Sequence, residues 1–212
     1  MSSTVNSKCK ICRRLNQKLF LKGERCLSPK CALVKKPYAP GPKNKKRFSK
    51  LTEYGRELAE KQKLKKWYNL REKQFKNYVL EVLGKKGRMG DASSYFIKIL
   101  EERLDNVVFR FGFALSRIHA RQLVNHAHFL VNGKGVNIPS YQVKKGDKIL
   151  IKPSSLKLSY FQGLKTNLKN YETQKWLKLN KETLEGEVVG EPTMETANPP
   201  AEIPSIFEFY TK

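Results

Sequence analysis

The sequence predicts an α+β fold, and three observations support this prediction. All four cysteines lie within the first 31 residues, apolar residues recur at helical spacing between positions 52 and 124, and turn signals between short alternating apolar runs follow up to position 151. With 212 residues, of which 39% are hydrophobic, the chain is long enough to form two modest domains behind a small N-terminal module.

The cysteines form two pairs, Cys9-x2-Cys12 and Cys26-x4-Cys31. Four thiolates at this spacing can close a tetrahedron around one Zn²⁺ ion. Disulfides are less favoured, since they require an oxidising compartment and the N-terminus lacks the apolar core of a signal peptide. The same spacing is also compatible with free thiols or with an iron site. The sequence therefore predicts a four-cysteine structural zinc module.

A basic linker and two helices follow the cysteines. Pro37, Pro40 and Pro42 predict an extended segment over residues 35–50. The first domain is therefore predicted to comprise residues 1–43, which include the zinc module and the basic linker. From 44 to 90 the chain predicts a helical domain. Thr52 is placed to cap its first helix, and the second, "REKQFKNYVLEVL", ends at the glycines of "GKKGRMG".

Residues 91–165 predict a helix-turn-helix followed by a small β-sheet. The segment "SSYFIKILEERLDNVVFRFGF" has the spacing of one amphipathic helix of about five turns. Ser116 is placed to cap the next helix, on which Arg117 and Arg121 lie one turn apart and are expected to point outward. The Asn132-Gly133 turn then separates short strands, predicted around Val136 and Ile138 and around Ile149 and Ile151.

The C-terminal segment, 166–212, is expected to complete the helical domain. Ile203, Ile206, Phe207, Phe209 and Tyr210 make its end too apolar for a free tail, whereas residues 190–200 resemble an exposed connector.

Charge indicates a polyanionic partner. The 43 Lys and Arg against 19 Asp and Glu give a net charge of +24, a self-repelling excess that a nucleic acid would neutralise. Residues 1–90 carry 26 basic and 6 acidic side chains, whereas residues 166–212 carry 5 and 8. The first ninety residues are therefore expected to make the main contact. No apolar run reaches the roughly 20 residues that span a bilayer, so we expect a cytoplasmic protein with no membrane partner.

The segment "ERLDNVVFRFGFALSRIHARQLVNHAHFLVNGKGVNIPSY" resembles the RNA-binding module of the small-subunit ribosomal protein S-four family. "LKGERCLSPKC", "EKQKLKKWY" and "FEFYTK" extend the resemblance over nearly the whole chain, although Ala127 stands where the family usually has Gly. The resemblance implies a ribosomal protein, not an enzyme, that binds small-subunit rRNA directly and nucleates assembly of the subunit body. It also implies neighbouring small-subunit proteins as partners, and a contribution to translational accuracy near the entrance path of mRNA.

Two further functions are compatible with parts of the sequence. One is an enzymatic function, that of a pseudouridine synthase with the same RNA-binding module, but Asp105 of "ERLD" falls within the predicted module and no catalytic domain flanks it. The second is that of a zinc-dependent DNA regulator.

His126 and His128 lack nearby Cys or carboxylate ligands, which favours a structural role or an RNA hydrogen bond. The predicted RNA-contacting residues are Arg13, Arg14, Lys22, Arg25, Lys35, Lys36, Lys43, Lys45, Lys46, Arg47, Lys61, Lys63, Lys65, Lys66, Arg71, Lys85, Lys86, Arg117, Arg121, His126, His128 and Asn132.

Overall fold

A computed structural model describes residues 6–41, 51–85 and 91–211. These residues form two compact units, one from Met1–Ser93 together with Pro199–Lys212, and the other from Ser94–Asn198. The predicted linker lysines at 43–46 lie outside the described residues, as do Arg47 and Lys86.

Along the described residues, eight α-helices come first, and five strands and four further α-helices follow. The helices are α1 (Asn6–Leu15), α2 (Glu24–Leu27), α3 (Ala32–Lys35), α4 (Glu53–Trp67), α5 (Glu72–Gly84), α6 (Ala92–Glu101), α7 (Leu104–Arg110), α8 (Arg117–Asn125), α9 (Ser159–Gln162), α10 (Leu164–Leu168), α11 (Met194–Ala197) and α12 (Ile203–Thr211). The strands are β1 (Phe129–Val131), β2 (Lys134–Gly135), β3 (Lys148–Ile151), β4 (Leu177–Asn180) and β5 (Glu185–Val188).

In the first unit, α12 packs against α4 and α5. Helix α4 begins after Thr52, whose side chain accepts a hydrogen bond from the backbone N–H of Gly55 at 3.2 Å, as predicted. Ile203 and Ile206 of α12 are buried, and the ring of Phe209 lies 5.4 Å from the ring of Tyr54. The apolar C-terminal residues therefore cover the helices of the first ninety residues.

The second unit contains a five-stranded antiparallel sheet in the order β2-β1-β3-β5-β4. Asn132 and Gly133, with φ of 50° and 79°, form the two-residue turn between β1 and β2. Strand β2 ends at Gly135, so the strand predicted around Val136 and Ile138 is wrong. The predicted strand at Ile149 and Ile151 is present, and it pairs with β1 and β5.

The predicted five-turn helix is in fact two helices, α6 and α7, broken at Arg103. The backbone of Arg103 is extended (φ −65°, ψ 135°). As a result, the N–H of Leu104 leaves the helical ladder and donates to the carbonyl of Tyr141 at 2.9 Å. The guanidinium of Arg103 is fully buried and binds Asp105 through two hydrogen bonds of 3.1 and 2.7 Å. The break lets this part of the chain share backbone hydrogen bonds with the 139–143 segment.

The C-terminal segment does not join the helical domain as a whole, which corrects the predicted division at 166–212. Its first part supplies β4 and β5 to the second unit, and only the part from Pro199 belongs to the first. At Gly186 of β5, an added Cβ would lie 2.5 Å from the ring of buried Phe111, so only glycine fits there. The predicted exposed connector also contains a helical turn, α11, whose Ala197 is buried.

Ala127 lies between α8 and β1 with φ of 56°, in the left-handed region. The backbone therefore adopts an angle that favours glycine, although the residue is alanine.

Candidate nucleic-acid interface

The four cysteines surround one small cavity of about 20 Å³ in the first unit. Cys12, Cys26 and Cys31 are buried. Burial raises the pKa of the Cys12 thiol and the neighbouring thiols raise it further, against a lowering by the backbone hydrogen bond at Leu19. The N–H of Lys22 donates to Cys26 Sγ at 3.4 Å. Across residues 6–41, 51–85 and 91–211, however, no three His, Cys, Asp or Glu side chains are grouped as they would be around a metal ion.

Basic side chains lie at the surface of the segment that carries the cysteines, and Lys22 also lines the cysteine cavity. Arg25 is exposed, as are Lys35 and Lys36 at the end of α3, and Lys22 is half-buried. Arg13 is half-buried because its Nε donates to the carbonyls of Lys36, at 3.1 Å, and Tyr38, at 2.9 Å. The module thus presents several of its predicted RNA-contacting residues to solvent.

Arg14, the remaining predicted contact of the module, is exposed on α1. It lines a shallow depression together with Lys66 of α4. Both residues belong to the first unit, so the predicted contact surface continues from the module to the helices that follow it.

In the helical part of the first unit, two predicted contact residues are internal. Lys61 is buried, lies 2.7 Å from Glu72 Oε1 and covers the ring of Phe209 at 4.1 Å. Lys65 is also buried and binds the other oxygen of Glu72. These two lysines join α4 to α5 and α12, and neither is exposed at the surface where a contact with RNA was predicted.

This cluster makes the stability of the first unit sensitive to acid. Burial raises the pKa of Glu72, but hydrogen bonds from Lys61, Lys65 and Tyr210 outweigh it and lower the pKa to about 2, from an ordinary 4.5. The stabilisation is therefore fully present above pH 4.5 and is lost as the pH falls toward 2. We expect wild type to exceed Glu72→Gln in thermal midpoint at about pH 6, and the gap to narrow steadily as the pH falls below 4.5. Calorimetry of both proteins across this pH range measures the difference in thermal midpoint. A difference that does not change with pH would contradict the stabilising role assigned to the Glu72 carboxylate.

The remaining predicted lysines and arginine of this part are more accessible. Lys63 pairs with Glu60 at 2.5 Å and Lys85 pairs with Glu81 at 2.7 Å. Lys66 is half-buried and Arg71 is exposed. No ion pair with a described carboxylate involves Lys66 or Arg71, so these two have the stronger claim to a phosphate partner.

The second unit contains a buried charge network around Glu101. Its fully buried carboxylate accepts hydrogen bonds from Asn106 at 2.8 Å and from Arg110 at 2.8 and 2.9 Å. Arg117 Nη2 lies 4.0 Å from the same carboxylate, and Arg117 Nε donates to Asn106 at 2.7 Å. These contacts connect α6, α7 and α8 through side chains.

Arg117 therefore does not point outward, and that expectation is wrong. Its side chain is buried, and its guanidinium stacks on Phe109 at 4.6 Å. Arg121, one turn later, is half-buried and is the member of the pair that reaches the surface. The helical spacing placed both arginines on one flank but could not show that α7, together with Glu101 of α6, covers the end of that flank.

The remaining predicted contacts lie around the sheet. His126 is exposed, whereas His128 is half-buried with Nδ1 2.9 Å from Ser155 Oγ. Burial lowers the pKa of His128, and the nearby His126 and Lys152 lower it further. Asn132 uses its amide within the turn: Nδ2 donates to Asp147 at 2.8 Å and Oδ1 accepts from the N–H of Lys148 at 2.9 Å. These contacts give Asn132 a structural role.

Two basic residues outside the predicted RNA-contacting set also lie on this basic surface. Lys10 and Lys30 line the same surface depression as Arg13 and Arg25. Each is adjacent to a cysteine in sequence, so proximity to the cysteine pairs was the signal that could have identified them.

Comparison with known proteins gives matches along the whole chain. The family described as "Ribosomal protein S4/S9 N-terminal domain" matches residues 4–101, and the "S4 domain" matches residues 102–149. A protein named small ribosomal subunit protein uS4 from Natranaerobius thermophilus is 46% identical over 204 residues, covering 96% of each chain. Its namesakes from Caldicellulosiruptor saccharolyticus and Thermus thermophilus are 46% and 42% identical over 212 residues, covering all of both chains.

The chain belongs to the uS4 family. The S4 domain of this uS4 chain extends from the Arg103 break to β3 and includes α7, α8 and the β1–β2 hairpin. Strands β4 and β5, which enlarge the sheet, lie beyond both matched regions. None of the helices that the structure describes is both long and apolar enough to cross a membrane.

Proposed function

We propose that this uS4 chain is a structural protein of the small ribosomal subunit that binds the subunit's rRNA directly and acts without catalysis. The observation that supports this most is its likeness, over the full length, to relatives named small ribosomal subunit protein uS4. The S4 domain and the net charge of +24 agree with it. Lysine and arginine contacts to phosphates supply affinity that is independent of sequence, and recognition of a folded RNA then rests on its shape.

The proposal includes a location and partners. The protein works within the small subunit, in the cytoplasm, beside other small-subunit proteins, nucleates assembly of the subunit body and contributes to translational accuracy near the entrance path of mRNA. Binding to a folded small-subunit rRNA fragment, measured against a DNA duplex at matched salt, tests it. We expect clear preference for the rRNA; equal affinity for the two would contradict the proposal and favour a DNA-binding role.

Arg71 offers a sharper test of phosphate contact, because it is exposed and lies in the strongly basic first ninety residues. Replacing it with glutamine is expected to reduce the slope of log affinity against log salt by about 0.7–0.9, the contribution of one phosphate contact. Lys175→Gln is the matched control, since it removes one charge from the net-acidic C-terminal segment. If both substitutions changed the slope equally, Arg71 would be acting through net charge alone.

We also propose that Cys9, Cys12, Cys26 and Cys31 hold one structural Zn²⁺. The support is chemical: four thiols, the ligands that zinc favours, line the same small cavity. The thiols are not grouped around a metal ion as they stand, so metal binding would require their side chains to move toward the cavity. Metal analysis of protein purified under reducing conditions tests this, with about one zinc per chain expected from a closed four-thiolate site. Iron at the same stoichiometry would identify a different metal, and absence of metal would leave free thiols.

A further inference from the structure

A concave surface of the cysteine module has an unusual concentration of positive charge. A cavity of about 850 Å³ is lined by Lys10 and Arg13 from α1, together with Lys22 and Arg25. This volume lies in the range of sites that bind small molecules.

The rest of the cavity wall includes three further lysines, Lys30, Lys35 and Lys36, and one carboxylate, that of Glu24. None of the seven basic side chains forms an ion pair with a carboxylate in the part of the chain that the structure describes, where such pairs do form elsewhere. Seven like charges around one concavity repel one another. A multivalent anion in the cavity would remove this repulsion.

The chemistry of the wall favours phosphate over nucleobase. Its other lining residues are Cys9, Ser28 and Ala32, and no aromatic ring is among the described residues that line it. Base recognition on single strands relies on aromatic stacking, whereas Lys and Arg bind phosphate through charge-assisted hydrogen bonds. Arg13 is already held by the carbonyls of Lys36 and Tyr38 and by the ring of Tyr38 at 4.9 Å, which reduces the entropy lost on binding.

We propose that this cavity is a binding site for a run of closely spaced phosphate groups. Two sources share this chemistry: a free linear polyphosphate, and a sharply bent single-stranded segment of RNA backbone. A regular duplex fits less well, because it presents its phosphates on a convex surface. The inference goes beyond rRNA binding by the protein as a whole, since it assigns a ligand class to one cavity.

Titration of the full chain with sodium tripolyphosphate, followed by isothermal calorimetry under reducing conditions, tests the site. We expect one tripolyphosphate per chain, and at least about tenfold weaker binding by the triple variant Lys22→Gln, Lys30→Gln, Lys35→Gln, because three charge-assisted contacts are lost. The matched control is Lys73→Gln, Lys76→Gln, Lys165→Gln, which removes three charges from exposed lysines outside the cavity and should bind as wild type does. Equal losses in the two variants, or no binding by wild type, would overturn the proposal.

If circular dichroism shows that the triple variant is unfolded, the single variant Lys30→Gln replaces it. We then expect tripolyphosphate to bind about twofold to threefold more weakly, because one exposed contact is lost. An unchanged affinity would overturn the proposed site. Competition with an rRNA fragment then identifies the source. Displacement of tripolyphosphate by the fragment assigns the cavity to bent RNA backbone, and simultaneous binding assigns it to free polyphosphate. Absence of tripolyphosphate binding with rRNA affinity intact would overturn this inference alone and leave the proposed function standing.

Discussion

Replacing Glu101 with alanine is expected to lower the free energy of unfolding of the second unit by about 3–5 kcal/mol. The carboxylate is fully buried and accepts three hydrogen bonds, one from Asn106 and two from Arg110. Without it, the buried guanidinium of Arg117 and the partly buried guanidinium of Arg110 would lose their counter-charge. An uncompensated buried charge costs far more than an exposed ion pair contributes.

Chemical denaturation of the two single variants, Glu101→Ala and Glu102→Gln, separates this effect from general damage around the C-terminal end of α6. Burial, with a smaller contribution from Glu191, raises the pKa of Glu102 to about 6, although Lys98 opposes this. Its charged form is thus disfavoured by folding, and this penalty is present above pH 6 and disappears as the pH falls toward 4.5. At about pH 7 we therefore expect Glu102→Gln to be as stable as wild type or more so. A loss below about 1 kcal/mol in Glu101→Ala would contradict the role assigned to the buried network.

Local sequence signals predicted those elements whose determinants are themselves local. Thr52 and Ser116 were identified as helix caps because an N-cap depends only on its own side chain and an N–H three residues later, at Gly55 and His119. The Asn132-Gly133 turn was identified for the same reason, since both residues tolerate positive φ. In each case the groups that determine the element lie within a few residues of each other in the sequence.

Elements that depend on distant contacts could not be predicted. At the Arg103 break, the backbone forms hydrogen bonds with the 139–143 segment, far along the chain, and nothing in the apolar spacing of α6 and α7 marks the break. Strands β4 and β5 carry several charges, and Gly186 is required by the ring of Phe111, in a different part of the sequence. Such short charged strands resemble a polar tail until the pairing of β5 with β3, and of β4 with β5, is known.

The same limit applies to the interface. Helical periodicity could not distinguish solvent-facing lysines of α4 from Lys61 and Lys65, because the surface that covers them includes α12, at the other end of the chain. Arg117 was misplaced for an equivalent reason, being covered by Glu101 and Phe109. Segment charge was more informative than individual positions, since long-range attraction to a polyanion depends on the sum of charges and not on the orientation of each.

Removal of the proposed zinc is expected to unfold the cysteine module and leave the second unit intact. The described part of the module buries little besides Leu19, Leu21 and its cysteines, too small a core to fold a segment of this length on its own. Structural zinc contributes about 10–16 kcal/mol of apparent folding free energy in comparable peptides. Chelation, or the double substitution Cys26→Ser, Cys31→Ser, should therefore abolish amide protection in α1, α2 and α3.

The second unit should keep its thermal transition, because its apolar core from α7 to β5 includes no cysteine among the described residues. The rRNA affinity is expected to fall by about tenfold or more, since two or three long basic side chains would have to be immobilised on binding at about 0.5–1.5 kcal/mol each. Leu27→Ser, Val34→Ser is the matched control: it introduces two serines at exposed positions of the same module and should retain metal, protection and affinity. An N-terminal fold that persists without metal under reducing conditions would show that Leu19, Leu21 and the thiols suffice as its core, and the metal proposal would be wrong.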